Sequence, residues 1–171
     1  MTMRVRSPGQ TQCFSCGAAV PDMDGPVHRY MASSPGCWAL FGEVLAREYS
    51  DYAYARTHRR TVDAYAVQHP GQPSPQTTRS VAIHLVRLYL VLERGLPADL
   101  ATRTMQKLAG HKSGYFWLEP PDHVGPVTVA DIWAAPDADA HATLVQEWAA
   151  SAWAVWETHH GQVRKWVEAY A

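Results

Sequence analysis

Residues 78–95 read TRSVAIHLVRLYLVLERG, and this stretch carries the strongest structural signal in the chain. Its apolar side chains recur at helical spacing and cover nearly the whole circumference of a helix over 78–94. A helix that is apolar on nearly every face is normally buried at the centre of its domain. Gly95 is the residue type that most often follows a helix C-terminus. We therefore expect this helix to form the centre of the fold.

Other segments with helical spacing flank the central one. Ser34 followed by Pro35 is typical of an N-cap and a first helical position. A capping-box pattern at 128–131 predicts one brief turn, and Gly161 marks a candidate break in the last helix. The flanking helices are predicted over 38–49, 51–69, 98–109 and 139–170.

Strand alternation is hard to find anywhere in the sequence, so the fold class is predicted as all-α. We expect a single compact domain that resembles a four-helix bundle, with an N-terminal, Cys-rich zinc-knuckle extension. Within it, 1–12 is predicted as a flexible tail, 13–37 as the zinc knuckle and 38–171 as the helical bundle.

Charge and hydropathy exclude several classes of partner. The 171 residues include 15 Lys plus Arg and 16 Asp plus Glu, a formal net charge of -1. Non-specific nucleic-acid binding would need a basic surface, so no nucleic-acid partner is expected. Apolar runs are too short to span a bilayer, so no membrane partner is expected either. The polar N-terminus lacks the apolar region of a secretory signal, which makes the cytoplasm the expected compartment.

All three cysteines lie in the first quarter of the chain. Cys13 and Cys16 have the Cys-x-x-Cys spacing of half a zinc site, and Cys37 falls at the predicted start of a helix. His28 is the candidate fourth ligand, although a histidine from the bundle is an alternative. This pattern predicts a closed structural zinc site, whereas the competing interpretation is a set of cysteines that pack or form a redox disulfide.

Histidines on three predicted helices form a second candidate metal site. Each occupies a predicted inward-facing stripe, and helical bundles build metal sites from such side chains. Neutral imidazole suits Zn, Fe or Ni, and Asp63 or Tyr65 is the candidate group for proton transfer in such a site. The candidate ligands are His58, His69, His84 and His159.

These histidines have a second interpretation, because a core imidazole is often hydrogen-bonded to a tyrosine, an aspartate or a backbone carbonyl. The nearby tyrosines are Tyr54, Tyr65 and Tyr89. Three further histidines lie in predicted loops or at a helix start and are expected to be solvated. They are His111, His123 and His141.

Several phrases resemble an uncharacterised bacterial family of unknown function, from Cys13 to about Trp166. The phrases are SPGCW (34–38), TVDAYAVQHPG (61–71), VAIHL (81–85) and WETHH (156–160). The family positions that match are Cys13, Cys16, Cys37, Asp63, Tyr65, Gln68, His69, His84 and His159. A looser similarity is to DinB/YfiT-like metal-binding bundles, some of which are thiol-dependent transferases or isomerases. Their histidine pair at i, i+4 on the last helix is replaced here by the adjacent His159 and His160.

Two function hypotheses follow from these residues. In the first, the protein is a metalloenzyme, a hydrolase or a thiol-dependent transferase, that acts on a small molecule through the histidine site. In the second, it is a non-catalytic, zinc-stabilised module that binds a ligand or partner. One tightly bound metal per chain favours the module and two favour the enzyme. The oligomeric state is left open.

Overall fold

The chain is mostly helical. The computed structural model describes residues 9–111 and 114–170, and within them eight α-helices accompany one two-stranded sheet. The strands are β1 (Gln10–Gln12) and β2 (Ala19–Pro21). The helices are α1 (Pro35–Ser50), α2 (Tyr52–Ala55), α3 (His58–Gln68), α4 (Pro75–Leu92), α5 (Ala98–Ala109), α6 (Val129–Trp133), α7 (Ala138–Ala154) and α8 (His160–Tyr170).

The expected central helix is α4, which packs against α3, α5, α7 and α8. Leu85 and Val86 at its middle are fully buried. It begins at Pro75, earlier than the apolar pattern indicates, because the Ser74 side chain accepts a hydrogen bond from the Thr77 amide and caps the helix. Among the helices of the described residues, none combines the length and the apolar character needed to cross a bilayer.

Two predicted helices are each divided. The helix expected over 51–69 is split into α2 and α3. At the division, the Thr57 hydroxyl donates hydrogen bonds to the Tyr54 carbonyl and to the Glu48 carboxylate. The helix expected over 139–170 is divided into α7 and α8, and the division comes after Ala154, before the predicted break at Gly161. There the buried Trp156 indole donates to the Val67 carbonyl and fixes a corner, followed by a 3-10 turn over Glu157–His159.

The N-terminal segment contains a β-hairpin that the sequence analysis did not predict. Strands β1 and β2 pair antiparallel, with Thr11 opposite Val20. In the connecting turn, the Cys13 amide donates to the Ala18 carbonyl, and Gly17 adopts a φ of 72° that favours glycine. Three-residue strands are too short to show an alternating pattern in a sequence. Residues 1–8 of the expected flexible tail lie outside the described residues.

The start of α1 lies directly against the hairpin. A Cβ atom added to Gly36 would overlap the Pro21 carbonyl oxygen, so only glycine allows this close approach. Ser34 caps the helix as predicted, since its side chain accepts a hydrogen bond from the Cys37 amide. The contact places the first turn of α1, with Cys37, beside the hairpin turn.

We predict that Gly36→Ala lowers the free energy of unfolding by about 1–3 kcal/mol, because the added methyl group must displace backbone. The matched control is Gly42→Ala on the same helix, where a Cβ meets nothing within 4 Å. The control should raise the stability by about 0.4–1 kcal/mol, since alanine is the better helix former. Urea denaturation of both variants measures the difference. Equal effects of the two substitutions would contradict the close contact.

Candidate metal centre

Four soft ligand side chains converge beside the hairpin: Cys13, Cys16, Cys37 and His69. One ligand atom from each lies within 4.8 Å of the other three. All four residues are buried, with relative exposures of 5% or less. Across 9–111 and 114–170, it is the one cluster of three or more His, Cys, Asp or Glu side chains with this geometry. The cluster is therefore close enough to hold a metal ion.

Three separate pieces of structure supply these ligands. The hairpin turn carries Cys13 and Cys16, and the first turn of α1 carries Cys37. His69 follows the last residue of α3 and is held by backbone contacts, since the Ala32 amide donates to its carbonyl at 3.1 Å. Next to it, Pro70 forms a β-bridge with Met31. The cluster therefore joins chain segments that are up to 56 residues apart.

The His69 ring is oriented by its own helix. Its Nδ1 donates to the Tyr65 carbonyl at 2.7 Å, which leaves Nε2 without a proton in the neutral ring. Nε2 lies 3.4 Å from the Cys37 sulfur and 3.8 Å from the Cys13 sulfur. A histidine whose other nitrogen is hydrogen-bonded to a backbone carbonyl is typical of metal ligands in proteins. The Tyr65 ring also stacks on the imidazole, with the ring centroids 3.9 Å apart.

The protonation of the cluster without a cation is unequal. Hydrogen bonds from the Cys16 and Cys37 thiols lower the pKa of Cys13, because they stabilise its thiolate. The hydrogen bond from Cys16 to Cys13 raises the pKa of Cys16 to about 12. The hydrogen bond from Cys37 to Cys13 contributes most to raising the pKa of Cys37. A single negative charge is thus favoured among three buried thiols. A bound cation would supply the charge that lets all three ionise.

Tyr65 closes the cluster on the side of α3. Its hydroxyl lies 3.5 Å from the Cys37 sulfur, and burial raises the pKa of Tyr65. The phenol therefore stays protonated and can donate to that sulfur. This places the predicted proton-transfer residue next to the thiol cluster, where it acts as a hydrogen-bond donor to a candidate ligand.

The distances suit a tetrahedral ion. Zinc–sulfur bonds of ~2.3 Å and zinc–nitrogen bonds of ~2.0–2.1 Å place the ligand atoms of a tetrahedron roughly 3.4–3.8 Å apart. The Cys16 and Cys37 sulfurs are 3.9 Å apart, and the sulfur–nitrogen distances given above fall in the same range. Three thiolates and one imidazole form a Cys₃His set, which is typical of structural zinc sites.

The fourth ligand position differs from the primary expectation. His28 lies outside the cluster, where its Nδ1 accepts a hydrogen bond from the Tyr30 amide at 3.3 Å and its ring lies 5.1 Å from that of Trp38. His69 occupies the position beside the three thiols instead. A histidine from the bundle is the alternative fourth ligand given above, and His69 is that histidine.

The structure does not bring the other three histidines of the predicted second site together. Each ring has a separate partner, and the described residues contain no further ligand cluster. His58 bonds to Glu48 and Tyr49, His84 bonds to Asp63 at 2.9 Å, and His159 bonds to the Glu119 carbonyl at 2.9 Å. Asp63, the other predicted proton-transfer residue, also forms a buried ion pair with Arg87.

Sequence analysis missed a buried carboxylate at Glu48. Glu48 lies four residues after the buried Val44 on the inward stripe of α1, so its burial could have been inferred from the helical spacing. Its four hydrogen-bond donors are Thr57, Thr61, His58 and His141. His141 was expected to be solvated, but it is fully buried because it donates to this carboxylate.

The comparisons with known proteins identify the family and nothing more. The chain belongs to the family described as "Family of unknown function (DUF5946)", whose model matches residues 11–157. This confirms the resemblance to an uncharacterised family. No curated protein and no solved structure matches the chain, so the looser similarity to DinB/YfiT-like bundles gains no support.

We predict that His69→Gln weakens metal binding more than about 100-fold, which is the most that loss of an outer-shell partner usually costs. The matched control is His28→Gln, which should bind metal as tightly as the wild type. Competition with a chromophoric chelator measures both affinities. If the His28 variant loses the metal and the His69 variant keeps it, this assignment of the fourth ligand is wrong.

Proposed function

We propose that the protein is a non-catalytic binding module, stabilised by one zinc ion held by Cys13, Cys16, Cys37 and His69. The observation that carries the proposal is the number and kind of ligands. Four buried protein side chains would fill the coordination shell of a tetrahedral ion and would leave water and substrate no open position. A catalytic zinc site normally has three protein ligands and keeps its fourth position for water or substrate.

Zinc is the metal proposed because thiolate and imidazole ligands in a closed tetrahedral set favour it over Mg or Ca. The three cysteines are free thiols. A reducing compartment such as the cytoplasm would keep them available to a metal, and we therefore propose a cytoplasmic location. A bound zinc ion would offset the negative charges of the three thiolates, which are unfavourable together in a buried cluster.

The metal would act as a clamp between the hairpin, α1 and α3. We propose that the helices around these elements form a scaffold that resembles a four-helix bundle, since α3 packs against both α4 and α7. The two strands have three residues each and contribute little backbone pairing of their own. Metal binding would then be coupled to the folding of the N-terminal segment.

A groove along the hairpin turn is the candidate binding surface of the module. It has a volume of about 900 Å³ and lies between the cysteine turn, the chain at 122–126 and the end of α7. Phe14, between the two turn cysteines, is 73% exposed at its edge. Because Cys13 and Cys16 belong to its wall, the metal would fix the shape of the groove. We propose a small molecule as the partner that binds this groove, and we propose neither a nucleic acid nor a membrane as a partner.

The metalloenzyme hypothesis is less well supported. It needs a second divalent ion at His58, His69, His84 and His159, but His69 lies with the thiols. The other three imidazoles already have hydrogen-bond partners on different elements. We therefore propose that these three serve as hydrogen-bonding groups.

We predict one zinc ion per chain in protein purified without chelator, measured by elemental analysis. Cys16→Ser should lose the zinc and unfold at lower temperature, because structural zinc supplies on the order of 10 kcal/mol of apparent binding energy. Phe14→Ala, in the same turn, should keep both the zinc and the stability. Two metal ions per chain, or a Cys16→Ser variant with wild-type melting, would contradict the proposal.

A further inference from the structure

A small cavity lies between the start of α4 and the chain at Tyr30 and Met31. Its volume is about 270 Å³, which suits a small ligand. The first half of α4 supplies one face, and Tyr30 and Met31 lie across from it. Most of the α4 residues that line it are polar: Gln76, Arg79, Ser80 and His84.

The His84 ring is held in one orientation by a buried ion pair. Arg87 and Asp63 are 1% and 2% exposed, and they bond to each other directly. A carboxylate can only accept hydrogen bonds, so His84 Nδ1 is the donor in its contact with Asp63. The free ring nitrogen is then Nε2. In the part of the chain that the structure describes, no hydrogen-bond partner is found for it.

Arg79 is the cation of this cavity. It lies five residues before His84, on the face of α4 that lines the cavity, and it is half-buried. Within residues 9–111 and 114–170, no carboxylate pairs with its guanidinium. An arginine without a carboxylate partner in a partly enclosed cavity favours an anionic group, and its planar fork matches a carboxylate or a phosphate. Arg79 therefore offers a cation, and the neutral His84 imidazole offers Nε2 as a hydrogen-bond acceptor, to the same ligand.

We propose that this cavity binds a small anion that also carries a hydroxyl group. The anionic oxygens pair with Arg79, and the hydroxyl donates to His84 Nε2. Two ligand classes share this chemistry: a phosphate that retains a proton, and a hydroxycarboxylate. Asp63 and Arg87 are positioning residues, since they orient the imidazole without touching the ligand. The site uses none of the metal ligands and does not depend on the proposed function.

The test uses two matched pairs of probes on the zinc-loaded full chain at pH 7.5. Inorganic phosphate is compared with sulfate, and lactate with propanoate, because the second member of each pair is an anion without a hydroxyl. Binding is followed by ¹H–¹⁵N NMR, with chemical-shift changes expected at 76–84 and at Tyr30 and Met31. We expect one hydroxyl-bearing probe to bind at least tenfold more tightly than its match, and that pair identifies the ligand class.

Two variants separate the roles of the cavity residues. Arg79→Gln should weaken binding of the preferred probe at least tenfold, whereas Arg103→Gln, at an exposed arginine on α5, should leave it unchanged. His84→Gln should remove the preference for the hydroxyl-bearing probe. Zinc content is measured in every sample, so loss of the metal centre is not mistaken for loss of this site. Equal binding within both pairs, or wild-type affinity in Arg79→Gln, would overturn the proposal.

Discussion

The packing of three thiols and one imidazole within 4.8 Å is the constraint on which the N-terminal third of the structure depends. Buried thiolates so close together repel one another, and without a cation a single charge is favoured. A bound metal ion would offset this repulsion and, through its ligands, would connect the hairpin, α1 and α3. The glycine at 36 and the hydrogen bond from His69 to the Tyr65 carbonyl both serve that geometry. Gly36 allows α1 to lie close to the hairpin, and the hydrogen bond from His69 orients its Nε2 towards the cysteine sulfurs.

Away from the cluster, the buried charges are arranged in the same way: each has a partner on another element. Asp63 on α3 pairs with Arg87 and accepts a hydrogen bond from His84, both on α4. Glu48 on α1 is bonded by His141 on α7. Burying a lone carboxylate costs several kcal/mol, so these contacts also specify how the helices pair. Three of the nine histidines, His58, His84 and His141, take part in such hydrogen bonds.

The helical architecture could be predicted because its signals are local. The Ser34 cap, the capping box at Thr128 and the bounds of α5 are all readable from neighbouring residues. The hairpin could not be predicted, since its strands have three residues each. The cysteine ligands follow from spacing, but the choice of His69 depends on a contact across 32 residues with Cys37. Helical spacing placed His69 on an inward face without showing which group it meets.

The central claim, that one closed set of three sulfurs and one nitrogen holds zinc, is tested most directly by X-ray absorption at the zinc edge. The account predicts a four-coordinate ion with three sulfur atoms at ~2.3 Å and one nitrogen atom at ~2.0–2.1 Å. His69→Gln should change the nitrogen contribution and leave the three sulfurs in place. A shell dominated by oxygen and nitrogen, or one with fewer than three sulfurs, would contradict the account.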